Sequence, residues 1–213
     1  MKTLLRKKLA ILLSGAAAVC VVSGAWAADA PKSEPYPLKT CPVSGKALDD
    51  KAVTKVIDGR EIKFCCEGCP PKFEADKATY TKKVDDAIVA LQKDTYPVDT
   101  CPVSGAKIEA DKGVDKVIGN RLVRFCCDGC PPKFEADRAK YSAKLDSEIV
   151  AAQKDSYPLT TCVVTGEELG SMGEPKDVVV KNRLVRLCCG GCEKKLNAEP
   201  DKYLSKLDEA AKK

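Results

Sequence analysis

The sequence of 213 residues contains no histidine, one tryptophan and two methionines, and aromatic residues make up 5% of it. Without histidine, the chain has no Ser–His or Cys–His pair of the kind that activates a catalytic nucleophile. Any transition-metal site must then be built mainly from cysteine sulfur, which favours soft or borderline ions. Neighbouring carboxylates such as Asp85 and Asp86 fit the surface of a helix better than an acid–base pair. We therefore expect a protein that is not an enzyme.

A large excess of charge of one sign is also missing once the N-terminus is set aside. Residues 1–27 hold four of the 36 Lys and Arg and none of the 31 Asp and Glu, so residues 28–213 carry a formal net charge of +1. A balance this close to neutral gives no reason to expect nucleic acid or an anionic membrane surface as a partner.

Long apolar runs occur only near the N-terminus, where the pattern predicts a secretory signal peptide over residues 1–27. A basic start is followed by the uncharged residues 9–22 and by a small-residue cleavage site at Ala25-Trp26-Ala27. The apolar run is too short for a comfortable membrane span, and it continues past Cys20, which argues against a lipoprotein signal. We therefore expect a periplasmic or secreted protein that starts with a mature segment, residues 28–35, and has no membrane span after cleavage.

Cysteine, by contrast, is abundant, and 12 of the 13 cysteines recur in a fixed pattern. Each copy has an early cysteine in a Cys-Pro-Val-Ser-Gly or Cys-Val-Val-Thr-Gly turn, followed by a Cys-Cys-x-Gly-Cys segment that starts 24 to 26 positions later. The twelve residues are Cys41, Cys65, Cys66 and Cys69; Cys101, Cys126, Cys127 and Cys130; and Cys162, Cys188, Cys189 and Cys192. Tyr-Pro pairs open the copies and divide the chain into tandem modules at residues 36–95, 96–156 and 157–213.

Within a module, the local sequence predicts a β-hairpin after the first turn. In the first module, Asp58-Gly59 is a strong two-residue turn signal between predicted strands at 53–57 and 60–64. Gly119-Asn120 and Lys181-Asn182 occupy the same place in the other modules.

A short helical stretch and a longer helix are predicted to follow the hairpin. On the longer helix of the first module, Tyr80, Val84, Ile88 and Leu91 form one apolar stripe that should face the core. The fold class is therefore small α+β. Because domains of about 60 residues bury little apolar surface, we expect the cysteines to have a structural role in addition to any other.

Cysteines grouped in this way are metal ligands, disulfide partners or redox centres. An oxidising compartment and an even number of cysteines in each module favour disulfides. Adjacent cysteines point to opposite faces of an extended strand and a vicinal disulfide is strained, so the pair favours metal binding. Cys66-Glu67-Gly68-Cys69, a CxxC segment at a helix start, keeps thiol redox chemistry as a third hypothesis, although the βαβ setting of a thioredoxin-like fold is missing.

The pattern resembles the TRASH family of metallochaperone-like cysteine modules, which are related to YHS domains. The family signature is an early Cys in a turn, a β-hairpin, Phe-Cys-x-x-x-Cys and an apolar residue in the next helix. It falls on Cys41, Cys65, Cys69 and Phe73; on Cys101, Cys126, Cys130 and Phe134; and on Cys162, Cys188, Cys192 and Leu196. This resemblance covers residues 36–213 and implies three treble-clef-like, zinc-finger metal modules with roles in heavy-metal sensing, trafficking or resistance.

Two features depart from the family pattern. Each module has an extra cysteine, and a hydroxyl residue stands where a zinc knuckle has its second cysteine. The extra cysteines are Cys66, Cys127 and Cys189, and the hydroxyl residues are Ser44, Ser104 and Thr165. Three thiolates in a site would suit trigonal Cu(I), and four would suit tetrahedral Zn(II).

The functional expectation is an exported binder of zinc, copper(I) or another heavy metal, with up to three ions per chain held by the twelve cysteines. It would serve sequestration, trafficking or sensing, with an envelope metal transporter or acceptor protein as partner. The first alternative is a disulfide-stabilised structural or interaction module of the cell envelope, and the second is a thiol redox protein.

Overall fold

The computed structural model describes residues 34–109 and 112–212. The predicted signal peptide, Cys20 and most of the segment 28–35 lie outside the described residues. Within the described part, three units follow one another, and each consists of a two-stranded antiparallel β-hairpin and two helices. A small α+β fold with three repeated units is therefore confirmed. None of the helices in this part of the chain is long and apolar enough to cross a bilayer.

The units have matching elements. Unit 1 comprises β1 (Val53–Ile57), β2 (Arg60–Phe64), α1 (Cys69–Ala75) and α2 (Lys77–Gln92). Unit 2 comprises β3 (Val114–Ile118), β4 (Arg121–Phe125), α3 (Cys130–Ala136) and α4 (Arg138–Lys154). Unit 3 comprises β5 (Lys176–Val180), β6 (Arg183–Leu187), α5 (Cys192–Ala198) and α6 (Pro200–Ala211).

The hairpins have the strands and turns that the sequence predicts. In unit 1, Ile57 pairs with Arg60 across the turn, whose residues Asp58 and Gly59 have φ angles of 50° and 73°. Two successive positive φ angles are the backbone of a type I′ turn, which matches the natural twist of the strands. Every second residue of β2 then points inward, and Phe64 at its end is fully buried.

Each unit has its own small core between the hairpin and the helices. In unit 1, the ring of Phe73 from α1 meets Phe64 edge-on at 5.5 Å and stacks on Tyr80 of α2 at 5.7 Å. Unit 2 repeats both ring contacts. Unit 3 replaces the two phenylalanines with Leu187 and Leu196, which are equally buried. The hairpin end and the first helical turn, where the cysteines lie, are thus fixed against each other by apolar contacts.

The prediction that Leu91 completes the core-facing apolar stripe of α2 is wrong. Leu91 is 53% exposed, whereas the neighbouring Gln92 is 4% exposed. The Gln92 side chain is buried because its Oε1 accepts hydrogen bonds from Leu122 N at 2.9 Å and from Asn182 Nδ2 at 3.0 Å. Gln92 thereby joins unit 1 to both following units, a contact that the sequence of a single module does not encode.

An asparagine in the hairpin turn carries the contact between successive units. Asn182 of unit 3 is 2% exposed and has a φ of 61°. Its amide oxygen accepts a hydrogen bond from Arg121 Nε at 2.6 Å, and its amide nitrogen donates to Leu122 O at 2.9 Å. Asn120 of unit 2 makes the matching contacts to unit 1, with Arg60 Nε at 3.2 Å and Glu61 O at 2.6 Å.

Apolar contacts follow the same order along the chain. Val117 of unit 2 packs against the core of unit 1, and Val179 of unit 3 packs against the core of unit 2. The equivalent residue of unit 1, Val56, is 73% exposed. Unit 1 also has Gly59 where the later units have their turn asparagines. The turn asparagine is therefore present only in the units that have a predecessor among the described residues, whereas the valine is present in all three units and is exposed where it has no predecessor to pack on.

We expect Asn182→Gly to destabilise the protein by about 2 to 4 kcal/mol, because it removes several buried hydrogen bonds and leaves their partners unsatisfied. Glycine adopts the positive φ of this turn without strain, so the change isolates the amide group. Urea unfolding of the metal-free, reduced chain measures the effect.

The matched control is Gly59→Asn, which adds the same amide at the equivalent turn of unit 1. A Cβ at Gly59 has no atom within 4 Å, and asparagine tolerates the positive φ of 73° better than most residues, so this variant should stay within about 1 kcal/mol of the wild type. Equal urea midpoints for Asn182→Gly and the wild type would contradict the structural role of the asparagine.

Candidate metal centre

The early cysteine of each unit lies in a tight turn that the backbone closes on itself. Cys41 N donates to Lys46 O at 2.8 Å, and Gly45 N donates to Cys41 O at 2.8 Å. Gly45 has a φ of 72°, a conformation that suits glycine, and a β-bridge joins Thr40 to Ala47 just outside the turn. The turn holds the Cys41 side chain inward, where it is 1% exposed.

The other three cysteines lie where the second strand of the hairpin turns into a helix. Cys65 and Cys66 follow β2 directly, and Cys69 is the first residue of α1. Cys69 N donates to Cys66 O at 3.2 Å, which tightens the chain into one turn between the strand and the helix. The turn brings Cys69 back beside Cys65, on the side where Cys41 lies.

The structure brings three sulfurs of each unit into mutual contact range. The Sγ atoms of each group lie within 4.8 Å of one another, and each group could hold a metal ion. The groups are Cys41, Cys65 and Cys69; Cys101, Cys126 and Cys130; and Cys162, Cys188 and Cys192. We call each of these groups an inner triad. Two of its members come from the strand–helix junction and one from the early turn.

The fourth predicted site residue of each unit lies beside this triad. Cys66 Sγ is 3.6 Å from Cys69 Sγ and 4.0 Å from Cys65 Sγ, and Cys65 Sγ is 3.7 Å from Cys69 Sγ. Cys66 and its counterpart Cys127 are exposed, whereas Cys189 is half-buried. All twelve described cysteines are free thiols.

The spacing and the donor type of these sulfurs fit a soft or borderline ion. At a metal–sulfur distance of about 2.3 Å, sulfurs around one ion lie roughly 3.8 to 4.0 Å apart in tetrahedral or trigonal geometry. The printed sequence offers no imidazole, so sulfur is the only soft donor at the site. A thiolate group of this kind could bind one ion per unit without a large rearrangement of the backbone.

In each unit a hydroxyl group lies against the inner triad. In the sequence this residue is visible only as a departure from the family pattern. Ser44 Oγ is 3.2 Å from Cys65 Sγ and also accepts a hydrogen bond from Lys46 N at 3.3 Å. The equivalent distances for Ser104 and Thr165 to their sulfurs are 3.3 and 3.5 Å. The signal in the sequence is that a hydroxyl residue stands three positions after the early cysteine in all three units.

Hydrogen bonds lower the pKa of the early cysteine in each unit. Burial raises the pKa of Cys41, but hydrogen bonds from the Ser44 hydroxyl and from nearby backbone N–H groups outweigh it and lower the pKa to about 6. At Cys101 and Cys162 the same kinds of hydrogen bond outweigh the effect of burial, and they lower the pKa values to about 7 and about 6. These thiols are the ones that the fold stabilises as thiolates.

The cysteine at the helix start behaves in the opposite way. Burial, followed by hydrogen bonding with the sulfurs of Cys66, Cys41 and Cys65, raises the pKa of Cys69 to about 12. Burial raises the pKa values of Cys130 and Cys192 to about 12 as well. In contrast, a hydrogen bond from the Gly68 backbone lowers the pKa of the exposed Cys66. Without a metal, a closely packed triad therefore keeps a proton on Cys69.

Unit 3 differs from the other units around its triad. Cys188 is 2% exposed, whereas its counterparts Cys65 and Cys126 are half-buried. An ion pair between Lys176 and Glu193, 2.6 Å long, lies beside the loop that carries Cys189. The third triad is therefore the most enclosed of the three.

No protein-family model, no curated protein and no solved structure matches this chain. The chemistry of the site must therefore be argued from its own residues.

The stability of the metal-free, reduced protein should pass through a maximum near pH 9. The lowered pKa values of Cys41, Cys101 and Cys162 contribute stability that is full above their ordinary pKa of 9.0 and is lost as the pH falls towards 6 to 7. The raised pKa of Cys69 and its equivalents contributes stability that is lost as the pH rises from 9 towards 12.

Urea midpoints measured anaerobically with a reductant and a chelator across this range test the prediction. The triple variant Ser44→Ala, Ser104→Ala and Thr165→Val should flatten the rise between pH 6 and 9, since it removes the hydroxyl hydrogen bonds. The exposed Ser205→Ala serves as the control. An unchanged slope in the triple variant would show that the hydroxyls do not set these pKa values.

Proposed function

We propose that this chain is an exported, non-enzymatic protein that binds soft or borderline metal ions through cysteine thiolates, one ion in each unit. The observation that carries the proposal is the threefold convergence of cysteine sulfurs within 4.8 Å, from segments more than twenty residues apart in sequence. Cysteines without a shared role have no reason to meet in the same way in all three units. The candidate ions are zinc and copper(I), which suit four and three thiolates respectively.

We further propose that each unit is a treble-clef-like module of the TRASH type. Support comes from the order of the elements, in which a tight turn with Cys41 precedes the hairpin and Cys69 opens the helix that follows it. In this arrangement, an ion bound by the inner triad would tie the early turn to the strand–helix junction. The proposed roles are sequestration, trafficking or sensing of the ion, with a transporter or acceptor protein of the envelope as partner.

The location outside the cytoplasm rests on the predicted signal peptide of residues 1–27. In that compartment, oxidation to disulfides is the main competing outcome for the same sulfurs. Metal content and free thiols should therefore be measured together on protein isolated without reductant and under anaerobic conditions. About three ions per chain, with thiols that react only after chelation, would support the proposal. No metal and no free thiol would support the disulfide-stabilised module instead.

Cys41→Ser should lower the metal content from three ions to about two, because it removes the buried ligand of one inner triad only. Cys101→Ser should have the same effect on unit 2, and the double variant should retain about one ion, since the sites share no ligands. Metal analysis after gel filtration in each case gives the stoichiometry. Full metal content in Cys41→Ser would show that the other cysteines of unit 1 hold the ion without Cys41, and would refute the assignment of Cys41 as a ligand of the resident site.

A further inference from the structure

We propose that the exposed fourth thiol of each unit is the point of entry and exit for the metal ion. The ion would pass between two sulfur triads that share two ligands. One is the inner triad, and the other, which we call the outer triad, consists in unit 1 of Cys65, Cys66 and Cys69. The inference rests on the proposed function, because it concerns how the bound ion moves.

The outer triad has the spacing of a ligand set in all three units. In unit 1 its three sulfur–sulfur distances are 3.6, 3.7 and 4.0 Å. The distances in unit 2 are 3.7, 3.7 and 3.8 Å, and those in unit 3 are 3.7, 3.8 and 4.0 Å. These values agree with the roughly 3.8 to 4.0 Å expected around one ion with metal–sulfur bonds of about 2.3 Å.

The two triads differ in their access to solvent. Cys41 is 1% exposed and Cys69 is 5% exposed, so no outside ligand can reach an ion on the side of Cys41. Cys66 is exposed, and its sulfur is not in the group that lies within 4.8 Å of the Cys41 sulfur. An acceptor must therefore approach from the Cys66 side, and an ion held by the outer triad is the one within its reach.

The transfer itself is an exchange of one ligand. The ion keeps its bonds to Cys65 and Cys69 while a bond to the Cys66 sulfur forms and the bond to the Cys41 sulfur breaks. Cys66 enters as a thiolate and Cys41 leaves as a thiolate, so charge is conserved and the oxidation state of the ion does not change. Because two bonds persist throughout, the ion never has to dissociate into solvent.

The exchange should be slowest in unit 3. Cys189 is half-buried, in contrast to the exposed Cys66 and Cys127. A Cβ at the neighbouring Gly190 would lie 4.0 Å from Lys176 Nζ, so the lysine lies over this loop, where its ion pair with Glu193 holds it. An acceptor would have to displace this pair to reach the outer triad.

The test compares the full chain loaded with zinc with the triple variant Cys66→Ser, Cys127→Ser and Cys189→Ser. Zinc content is measured first, and stopped-flow mixing with an excess of a chromogenic chelator then gives the rate of transfer. We expect equal zinc content, since the inner triads are intact, and a transfer rate that is lower by about tenfold or more. Zinc transfer from the wild-type chain should include a slow phase that comes from unit 3. The single variant Cys189→Ser should change the rate of that phase only. Glu67→Ser, which changes the same exposed loop without removing a sulfur, should transfer zinc at the wild-type rate.

Three results would overturn the inference while leaving metal binding in place. Faster release with weaker binding in the triple variant would make the fourth thiol a static ligand, and an unchanged rate would give it no part in transfer. If the variant bound less zinc, the inner triad would not be the resident site. A wild-type chain that takes up neither zinc nor copper(I) would instead contradict the proposed function, and measuring the metal content first, with each ion, distinguishes that case.

Discussion

Each unit depends on the meeting of sulfurs from two segments that are far apart in the sequence. The early turn and the strand–helix junction are separated by a two-stranded hairpin, and an isolated hairpin is marginally stable at best. A buried edge-on pair of rings, Phe64 and Phe73, fixes the junction. The Cys41 turn packs on the same small core through Val43 and Leu48, and Ser44 lies 3.2 Å from the sulfur of Cys65. A shared ion would close the loop between the turn and the junction and so add to what this small core supplies.

The units themselves are held together by polar contacts that run in one direction along the chain. The arginine after each hairpin turn bonds an aspartate of its own long helix, as Arg60 does with Asp85 and Arg183 does with Asp208. In units 1 and 2 the same arginine also donates to the turn asparagine of the next unit. The arginine–aspartate ion pair is therefore found within every unit, and the asparagine adds the link between successive units. This division explains why the repeat stays recognisable in sequence while only units 2 and 3 carry the asparagine.

The sequence predicts local structure well and the contacts between units poorly. Turn signals such as Asp58-Gly59 placed both strands of unit 1 correctly, because a two-residue turn determines the register of its hairpin. The convergence of Cys41 with Cys65 and Cys69 is what the resemblance to TRASH modules implies, and these three sulfurs do lie together. The burial of Gln92 in place of Leu91 could not be predicted from helical periodicity. An apolar stripe shows which face of a helix packs on the core of its own module, and it contains no information on contacts with the other modules.

The contact between Ser44 and Cys65 was also beyond sequence reasoning. A hydroxyl three positions after the early cysteine can point into solvent or back across the turn, and only the packing of the turn against the junction decides between them. In the structure the oxygen lies 3.2 Å from the sulfur. A neutral hydrogen-bonding group therefore lies directly beside a sulfur of the inner triad.

Each of the three units has its own inner triad, but the triads differ in their access to solvent. This difference suggests what a chain gains from three metal sites. Three equally open sites would only triple the capacity for ions. With Cys188 buried and Lys176 paired across the adjacent loop, unit 3 is closed in a way that units 1 and 2 are not. A chain with two open sites and one enclosed site would exchange ions with an acceptor through the open pair while the enclosed site stayed occupied. Because Gln92 joins α2 directly to the hairpin turn of unit 3, an ion retained there would stabilise the interface on which the open units also depend.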